Sequence, residues 1–398
     1  MQYSPHPLLR LSDIRPSPAE TRFAALAESS RLFEFYNARG ALFHLFKQLK
    51  TVQRRRVLMP AFHCISMIEP ALAAGMEVSF YRIDRSLQID EEDVIARASN
   101  EVCAFLYVNF FGFPAKVDAL LTDLRRRGIA VVEDSSHSFL ELQPLRLAGG
   151  SGDYIVYSFG KLVPCGAGGG LRVRAGSIDL PHLTSLEWKD SLVLAKRLIE
   201  QVFLSRNEQS VVRRFYFSLE AARVSRKQHG PREQSNGTSP SQRPPKDGAF
   251  VPGNLAFDAL HARTRFPSFP RWILHAANLH EIVFQRRRNY SHYSTILAFP
   301  RTPLSVLPQL HDSVCPWAYP ILVANRAQHD QRLRSLGVPV WTFGDVLHPS
   351  VDQHAGTQAA ADARFLSTHL LCLPVHQGLP SEAVASFAQV IAKANFLR

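Results

Sequence analysis

The feature that most constrains the fold is an alternation of short apolar runs with helix-forming patterns through the first two hundred residues. The runs are rich in β-branched residues, and the segments between them carry apolar residues at three-to-four spacing. This order is typical of βαβ units that build a mostly parallel sheet in an α/β protein. The predicted strands are 57–62, 77–83, 103–110, 129–133, 153–159 and 170–173, and the predicted helices are 38–49, 66–74, 91–98 and 116–127.

The composition changes near residue 196. Residues 226–247 are rich in Arg, Lys, Ser, Gln, Gly and Pro and contain almost nothing to bury, so we expect a disordered loop there. Just before it, 198–219 mixes apolar and basic residues. That mixture suits an amphipathic helix that contacts a membrane or a partner protein, and it also suits a plain surface helix. The sequence therefore predicts a basic insertion over 196–247.

The C-terminal third is predicted to be a separate α+β unit. A long helix is expected from residue 267 to the cluster Arg286-Arg287-Arg288, and further helices are expected around 327–336 and from 381 onward. Strands are expected at 318–323 and 339–342. We therefore predict a large domain over 1–265, which includes the insertion, and a small C-terminal domain over 266–398.

Composition narrows the classes of function. The 398 residues are 46% apolar, which excludes a mainly disordered chain, and the net charge of +12 suits nucleic acid, an anionic membrane or a phosphorylated ligand. Clusters such as Arg54-Arg55-Arg56, Arg125-Arg126-Arg127 and Arg286-Arg287-Arg288 are scattered, and no nucleic-acid motif accompanies them. We interpret them as solvated faces, the last two at helix ends, and expect no nucleic-acid partner.

Location and cysteine content give two further expectations. The N-terminus lacks the pattern of a secretory signal and no run approaches eighteen apolar residues, so we expect a cytoplasmic protein. The five cysteines are an odd number without a CxxC pair. Neither a disulfide framework nor a metal site is therefore expected.

A carboxylate and a lysine follow two of the predicted strands. Val131-Val132-Glu133-Asp134 delivers an acid at the end of one strand, and the strand over 153–159 delivers Ser158-Phe159-Gly160-Lys161 to the same edge of the sheet. Pyridoxal phosphate needs an amine for its aldehyde and an anion for its ring nitrogen. The pair Asp134 and Lys161 meets both needs, although an ordinary ion pair is the alternative at this stage.

Two further segments suit the phosphate of such a cofactor. Residues 37–42 place a small-residue turn at the start of a helix, where free backbone amides can hold an anion, and Ser158 adds a hydroxyl. The glycines among residues 166–170 suit a backbone that passes close to a cofactor or another subunit, and they equally suit a flexible turn.

Five motifs in a fixed order carry a family resemblance. They are Pro60-Ala61-Phe62-His63-Cys64, Asn109-Phe110-Phe111-Gly112-Phe113-Pro114, Glu133-Asp134-Ser135-Ser136-His137, Ser158-Phe159-Gly160-Lys161 and Leu373-Pro374-Val375-His376-Gln377-Gly378-Leu379. Together they resemble the DegT/StrS-type nucleotide-sugar aminotransferases, which are fold-type-I pyridoxal-phosphate enzymes. The resemblance implies a three-layer large domain with a mostly parallel sheet.

The resemblance also implies roles for individual residues. Lys161 would form the internal aldimine, Asp134 would contact the pyridine nitrogen, and His137 would lie near the ring hydroxyl. Ser158 would contact the phosphate, as would the backbone amides of Ala38 and Arg39.

Other matched positions bear on ring stacking and on assembly. Cys64 stands where an aromatic residue often stacks on the cofactor ring, so His63 or Phe62 is the expected substitute. Pro252-Gly253-Asn254 resembles a segment whose asparagine reaches the phosphate bound by a partner subunit. This match implies a homodimer in which Asn254 helps to complete the partner's site.

The function implied is transfer of an amino group, with glutamate as the expected donor, to a keto-sugar carried on a nucleoside diphosphate. The positive charge suits that substrate. Two alternatives stay open: a sugar dehydratase-like relative, against which Lys161 argues because a histidine replaces the lysine there, and a catalytically silent family member. The silent member would bind a partner in polysaccharide biosynthesis through the basic insertion.

Overall fold

The structure is a computed structural model, and it describes residues 3–14, 21–28, 30–205, 257–297 and 309–393. The strands, in chain order, are β1 Leu32–Phe35, β2 Arg56–Pro60, β3 Glu77–Tyr81, β4 Val102–Val108, β5 Ala130–Asp134, β6 Leu140–Glu141, β7 Arg146–Leu147, β8 Tyr154–Ser158, β9 Gly169–Val173, β10 Ala318–Leu322 and β11 Leu370–Pro374. Short 3-10 turns cover Leu11–Asp13, Ile65–Met67, Phe110–Gly112 and Phe159–Lys161.

Thirteen helices lie within the described ranges. They are α1 Phe23–Glu28, α2 Ala38–Leu49, α3 Ile68–Ala73, α4 Glu91–Arg97, α5 Asp118–Arg126, α6 Trp188–Leu204, α7 Ala259–Ala262, α8 Ser268–Ala276, α9 Leu279–Ile296, α10 Arg326–Ser335, α11 Val351–His354, α12 Thr357–His369 and α13 Ser381–Lys393. Each of the four helices predicted in the first half is present within about two residues of its expected bounds, because the spacing of their apolar residues sets the buried face.

A seven-stranded sheet in the order β1-β9-β8-β5-β4-β2-β3 forms the centre of the fold. β3, β2, β4, β5 and β8 are parallel, whereas β9 is antiparallel to β8 and β1 is antiparallel to β9. Every residue of β4 is buried, as expected for a central strand covered on both faces. The parallel strands end together at Pro60, Val108, Asp134 and Ser158, so one edge of the sheet collects the residues that follow them. The predicted α/β class is confirmed.

Two predictions in the C-terminal third are wrong. The single long helix from 267 to Arg286-Arg287-Arg288 is two helices, α8 and α9, and the Asn278 side chain caps the second by accepting from the Glu281 amide at 3.1 Å. The arginine cluster therefore lies in the middle of α9. Arg286 is fully buried there instead of facing solvent. Local patterning could not reveal this, because burial of a charge depends on partners from distant segments.

The predicted strand at 339–342 is also absent. Only Trp341 pairs in that segment, through a single antiparallel bridge to Cys372, and the partner of β10 is β11. Neither β11 nor the edge strand β1 was expected from the sequence. Both are short, and an apolar run of this length does not distinguish a strand from the end of a neighbouring helix.

The basic insertion is only partly within the described residues. α6 begins at Trp188, ten residues before the expected amphipathic segment, and residues 206–256, including the expected loop, lie outside the described ranges. No helix in the described parts is long and apolar enough to span a bilayer. The division at residue 265 stays a prediction.

Candidate active site

A cavity of about 170 Å³ lies where the parallel strands end. Seven of the eight residues predicted for the site line it, namely Ala38, Arg39, His63, Asp134, His137, Ser158 and Lys161. The eighth, Asn254, lies outside the described residues. Residues more than a hundred positions apart thus meet at one edge of the sheet, as the strand order requires.

The strand β5 delivers two acids with opposite surroundings. Side chains alternate between the faces of a strand, so Glu133 and Asp134 point to different sides of the sheet. The Glu133 carboxylate accepts from the backbone amides of Gly150, Ser151 and Gly152 at 2.9–3.1 Å, and from the Asn109 amide at 2.8 Å. Glu133 is therefore a structural anchor.

Asp134 lines the cavity and is far less engaged. Within the described parts of the chain, one hydrogen bond to its carboxylate is present, from the Ser136 amide to Oδ1 at 2.8 Å. The second oxygen, Oδ2, is available to a ligand in the cavity. Of the two acids, Asp134 is the one that faces the cavity.

The Lys161 amine is partly buried beside an aromatic ring. The 3-10 turn that follows β8 carries Lys161, whose Nζ lies 4.6 Å from the centroid of the Trp317 ring. Burial lowers the pKa of Lys161, and the charges of Asp134 and Cys64 oppose that shift. A lysine with a lowered pKa offers more of the neutral amine, which is the form that attacks a carbonyl carbon.

His137 is held in a defined tautomer. The backbone amide of Phe111 donates to His137 Nδ1 at 2.8 Å, so the neutral ring carries its hydrogen on Nε2. Phe111 adopts φ +57°, a left-handed conformation that is uncommon for a bulky residue. Burial, and then the nearby Lys161 charge, hold the pKa of His137 well below its ordinary value. The ring is therefore a neutral hydrogen-bond donor.

The opposite wall of the cavity is the N-terminus of α2. Asn37 caps the helix by accepting from the Gly40 amide at 3.0 Å, whereas the amides of Ala38 and Arg39, at the first two helical positions, have no partner within the helix. A Cβ on Gly169 would lie 2.2 Å from the Asn37 carbonyl carbon. The glycine run therefore meets this chain's own backbone, and it lets β9 pass close to the N-terminus of α2.

The His63 ring has its polar atoms occupied. It stacks on Phe80 with centroids 5.3 Å apart, Nδ1 donates to the Pro60 carbonyl at 3.1 Å, and Nε2 accepts from the His348 amide at 3.1 Å. Burial lowers the pKa of His63 to about 4. Since both nitrogens are used, His63 contributes shape to the cavity wall. Cys64 also lines the cavity, and its sulfur lies 3.1 Å from Ser66 Oγ.

Three aromatic residues lie near the site, and two of them, Phe343 and Trp317, were missed from the sequence. Phe343 lines the cavity, and its ring packs edge-to-face on His137 at 4.8 Å between centroids. Trp317 lies 4.3 Å from the same imidazole, and Phe110 completes the wall. Phe343 and Trp317 come from the C-terminal third, and no local pattern there indicates contact with a motif two hundred residues earlier.

Known proteins share this sequence pattern. Residues 18–178 match the model of the DegT/DnrJ/EryC1/StrS aminotransferase family. The UDP-4-amino-4,6-dideoxy-N-acetyl-beta-L-altrosamine transaminase of Campylobacter jejuni is 27% identical over 131 residues, which are 32% of this chain and 35% of that protein. The match therefore spans about a third of the length of this curated relative.

Solved structures share the fold over nearly its whole length. Helicobacter pylori PseC, an aminotransferase involved in the biosynthesis of pseudoaminic acid, superposes with a TM-score of 0.59 at 17% identity and covers 93% of this chain and 89% of its own. The GDP-4-keto-6-deoxymannose-3-dehydratase ColD gives 0.61 at 15% identity, with 93% and 90% covered. The resemblance indicated by the five motifs is confirmed by the match of residues 18–178 to the model of the DegT/DnrJ/EryC1/StrS aminotransferase family, and the shared fold extends beyond that segment.

Proposed function

We propose that this protein is a pyridoxal-phosphate-dependent aminotransferase that acts on a keto-sugar linked to a nucleotide. The observation that supports it is the meeting, in one cavity, of the Lys161 amine, the Asp134 carboxylate and the N-terminus of α2. These groups match the aldehyde, ring nitrogen and phosphate of the cofactor in number and in chemical type.

Four parts of the chain would hold the cofactor. Ser158 and the amides of Ala38 and Arg39 would bind its phosphate, Asp134 would pair with its ring nitrogen, and the Nε2–H of His137 would donate to its ring oxygen. When bound, pyridoxal phosphate supplies an aldehyde that a lysine amine can attack and a ring that withdraws electrons from the substrate carbon.

Lys161 has a second task once its amine is released by the amino donor. As a general base, the neutral Nζ would remove the proton from the α-carbon of the amino donor, and as a general acid it would then deliver that proton across the bridging nitrogen to the carbon that the cofactor's aldehyde supplies. Burial, which lowers the pKa of Lys161, favours the base form. Asp134, by keeping the ring nitrogen protonated, would maintain the electron withdrawal on which this proton transfer depends.

The substrate class is supported less directly. The curated relative is named as a transaminase of a UDP-linked amino sugar, and the net charge of +12 suits a nucleoside diphosphate. We propose glutamate as amino donor, so that the first half-reaction releases 2-oxoglutarate. A homodimer, in which Asn254 reaches the partner's phosphate site, is proposed on the resemblance alone and is checked by the mass of the protein in solution.

The cofactor assignment is tested first. Purified protein incubated with pyridoxal phosphate should show a visible absorbance band that sodium borohydride bleaches, and mass spectrometry should locate the reduced adduct on Lys161. Lys116→Ala is the matched control for Lys161→Ala, because Lys116 lies in the loop before α5 and outside the cavity. Protein that stays colourless with excess cofactor would overturn the enzyme assignment and favour the catalytically silent alternative.

The reaction is tested second. Keto-sugar nucleotides are screened with glutamate, and 2-oxoglutarate release is measured together with the mass of the sugar product. An aminated sugar supports the proposal. A product that loses water and gains no nitrogen would instead establish the dehydratase alternative, and a reduced adduct without either product would limit the claim to cofactor binding.

A further inference from the structure

A single buried cation connects the lysine turn to the C-terminal third of the chain. Arg286, in α9, is fully buried. Its guanidinium donates from Nη2 to the Lys161 carbonyl at 3.2 Å, from Nη1 to the Trp317 carbonyl at 3.3 Å, and from Nε to Gln377 Oε1 at 3.1 Å. These three acceptors come from three separate segments.

Within the described ranges no carboxylate pairs with Arg286, and its acceptors are neutral oxygens. Burial lowers its pKa to about 10, with the charges of Cys315 and Asp13 acting in the opposite direction. Moving a guanidinium cation from water into the protein interior costs free energy. An apolar residue of similar size at this position would therefore stabilise the fold as much or more. A gain in folding stability therefore does not account for the buried Arg286.

The contacts of Gln377 point to that reason. Its amide nitrogen donates to the Leu162 carbonyl at 3.0 Å while its oxygen accepts from Arg286. The carbonyls of two consecutive residues, Lys161 and Leu162, are thus held by one linked pair of side chains. Because Arg286 also donates to the carbonyl of Trp317, the same guanidinium holds the main chain of the lysine and of the tryptophan whose ring lies 4.6 Å from Nζ.

We propose that Arg286 is a positioning residue for Lys161, and that with Gln377 it fixes the lysine main chain and the Trp317 ring relative to each other. The inference rests on the proposed function only in giving Lys161 a catalytic task. Because Arg286 and Gln377 hold the main chain of the lysine turn, the Lys161 amine stays partly shielded from water.

The test uses the cofactor-free protein. Lys161 is labelled with acetic anhydride over a range of pH beside a reference amine, and the extent of labelling is read by mass spectrometry of its peptide. In Arg286→Met the amine should regain water, so the midpoint of labelling should rise by about one pH unit toward that of an ordinary lysine. Gln377→Leu should give a smaller rise.

Arg287→Met is the matched control. Arg287 is the next residue of α9 and also donates to carbonyl oxygens, those of His311 and Val314, both at 2.6 Å, but it does not touch the lysine turn. Its labelling midpoint should equal that of the wild type. If folded Arg286→Met also keeps the wild-type midpoint, the proposal is wrong. Should Arg286→Met not fold, Gln377→Leu decides in the same way.

Cofactor uptake is measured in parallel and separates the two claims. A labelling shift in protein that never binds pyridoxal phosphate would contradict the proposed function and leave the positioning role in place. Normal uptake with no labelling shift would contradict the positioning role alone.

Discussion

The two faces of the sheet at the end of β5 carry adjacent acids with opposite environments. On one face, Glu133 is surrounded by four backbone and side-chain N–H donors and is 3% exposed. On the other, Asp134 faces a cavity with one of its oxygens unbonded within the described residues. The comparison shows that consecutive residues at a strand end can differ sharply, one carboxylate being saturated with hydrogen bonds and the next being open to a cavity. The two carboxylates differ in the number of hydrogen-bond donors around them.

The largest effect is expected on the cavity face, at Lys161. Lys161→Ala should reduce the rate of amino transfer by about three orders of magnitude or more, because both the cofactor attachment and the proton transfer are lost. Its free energy of unfolding should change by less than about 1 kcal/mol, since the side chain contributes little packing. Single-turnover kinetics and urea unfolding measure the two quantities. Full activity in this variant would refute the assignment.

The two acids should respond in opposite ways, which is the sharpest test of the comparison. Asp134→Asn should lower activity by about two orders of magnitude and leave the unfolding free energy nearly unchanged. Glu133→Ala should lower the unfolding free energy by about 3 kcal/mol, because it leaves several buried donors without an acceptor. The folded fraction of that variant should still bind cofactor. Equal losses of stability in both variants would remove the distinction between the faces.

Alanine substitutions at two glycines test the cavity face and the Glu133 face by adding a single Cβ atom at each. Gly169→Ala places a Cβ 2.2 Å from the Asn37 backbone, at the N-terminus of α2, and should weaken cofactor binding and lower stability by about 1–3 kcal/mol. Gly150→Ala is the control, because nothing lies within 4 Å of its Cβ although its amide serves Glu133. Thermal unfolding and cofactor titration measure both. Cofactor affinity unchanged in Gly169→Ala would exclude the α2 N-terminus as the phosphate site.

A pH dependence of the unfolding free energy is expected from the buried His63 in the cavity wall. Burial lowers the pKa of His63 to about 4, so the unfolded chain binds its proton first as pH falls. Unfolding free energy should therefore fall between about pH 6.5 and 4, by about 1.4 kcal/mol per pH unit for this group. His63→Gln should reduce that slope by this amount, whereas His280→Gln, on the exposed surface of α9, should not. Equal slopes would contradict the burial effect.

Much of the site was predictable because its residues follow strand ends. Lys161, Asp134, His137 and Ser158 were identified by the motifs that place them, and α2 was predicted with the bounds that it has in the structure. The C-terminal predictions were less accurate, since the segment that holds Arg286 has no local sign that distinguishes a buried arginine from the exposed ones around it. The contacts of Trp317 and Phe343 with His137 could not be predicted from the sequence either.

The sequence by itself determined which chemistry-bearing residues leave the sheet at one edge, because strand periodicity and order fix where each strand ends. Only the tertiary structure decided how each group is used there. It turned Glu133 toward three backbone amides and Asp134 toward the cavity, enclosed His137 in aromatic rings from the C-terminal third, and placed Arg286 against the carbonyl of Lys161. The physical reason is that burial, hydrogen bonding and pKa depend on neighbours in space, which a local pattern does not contain.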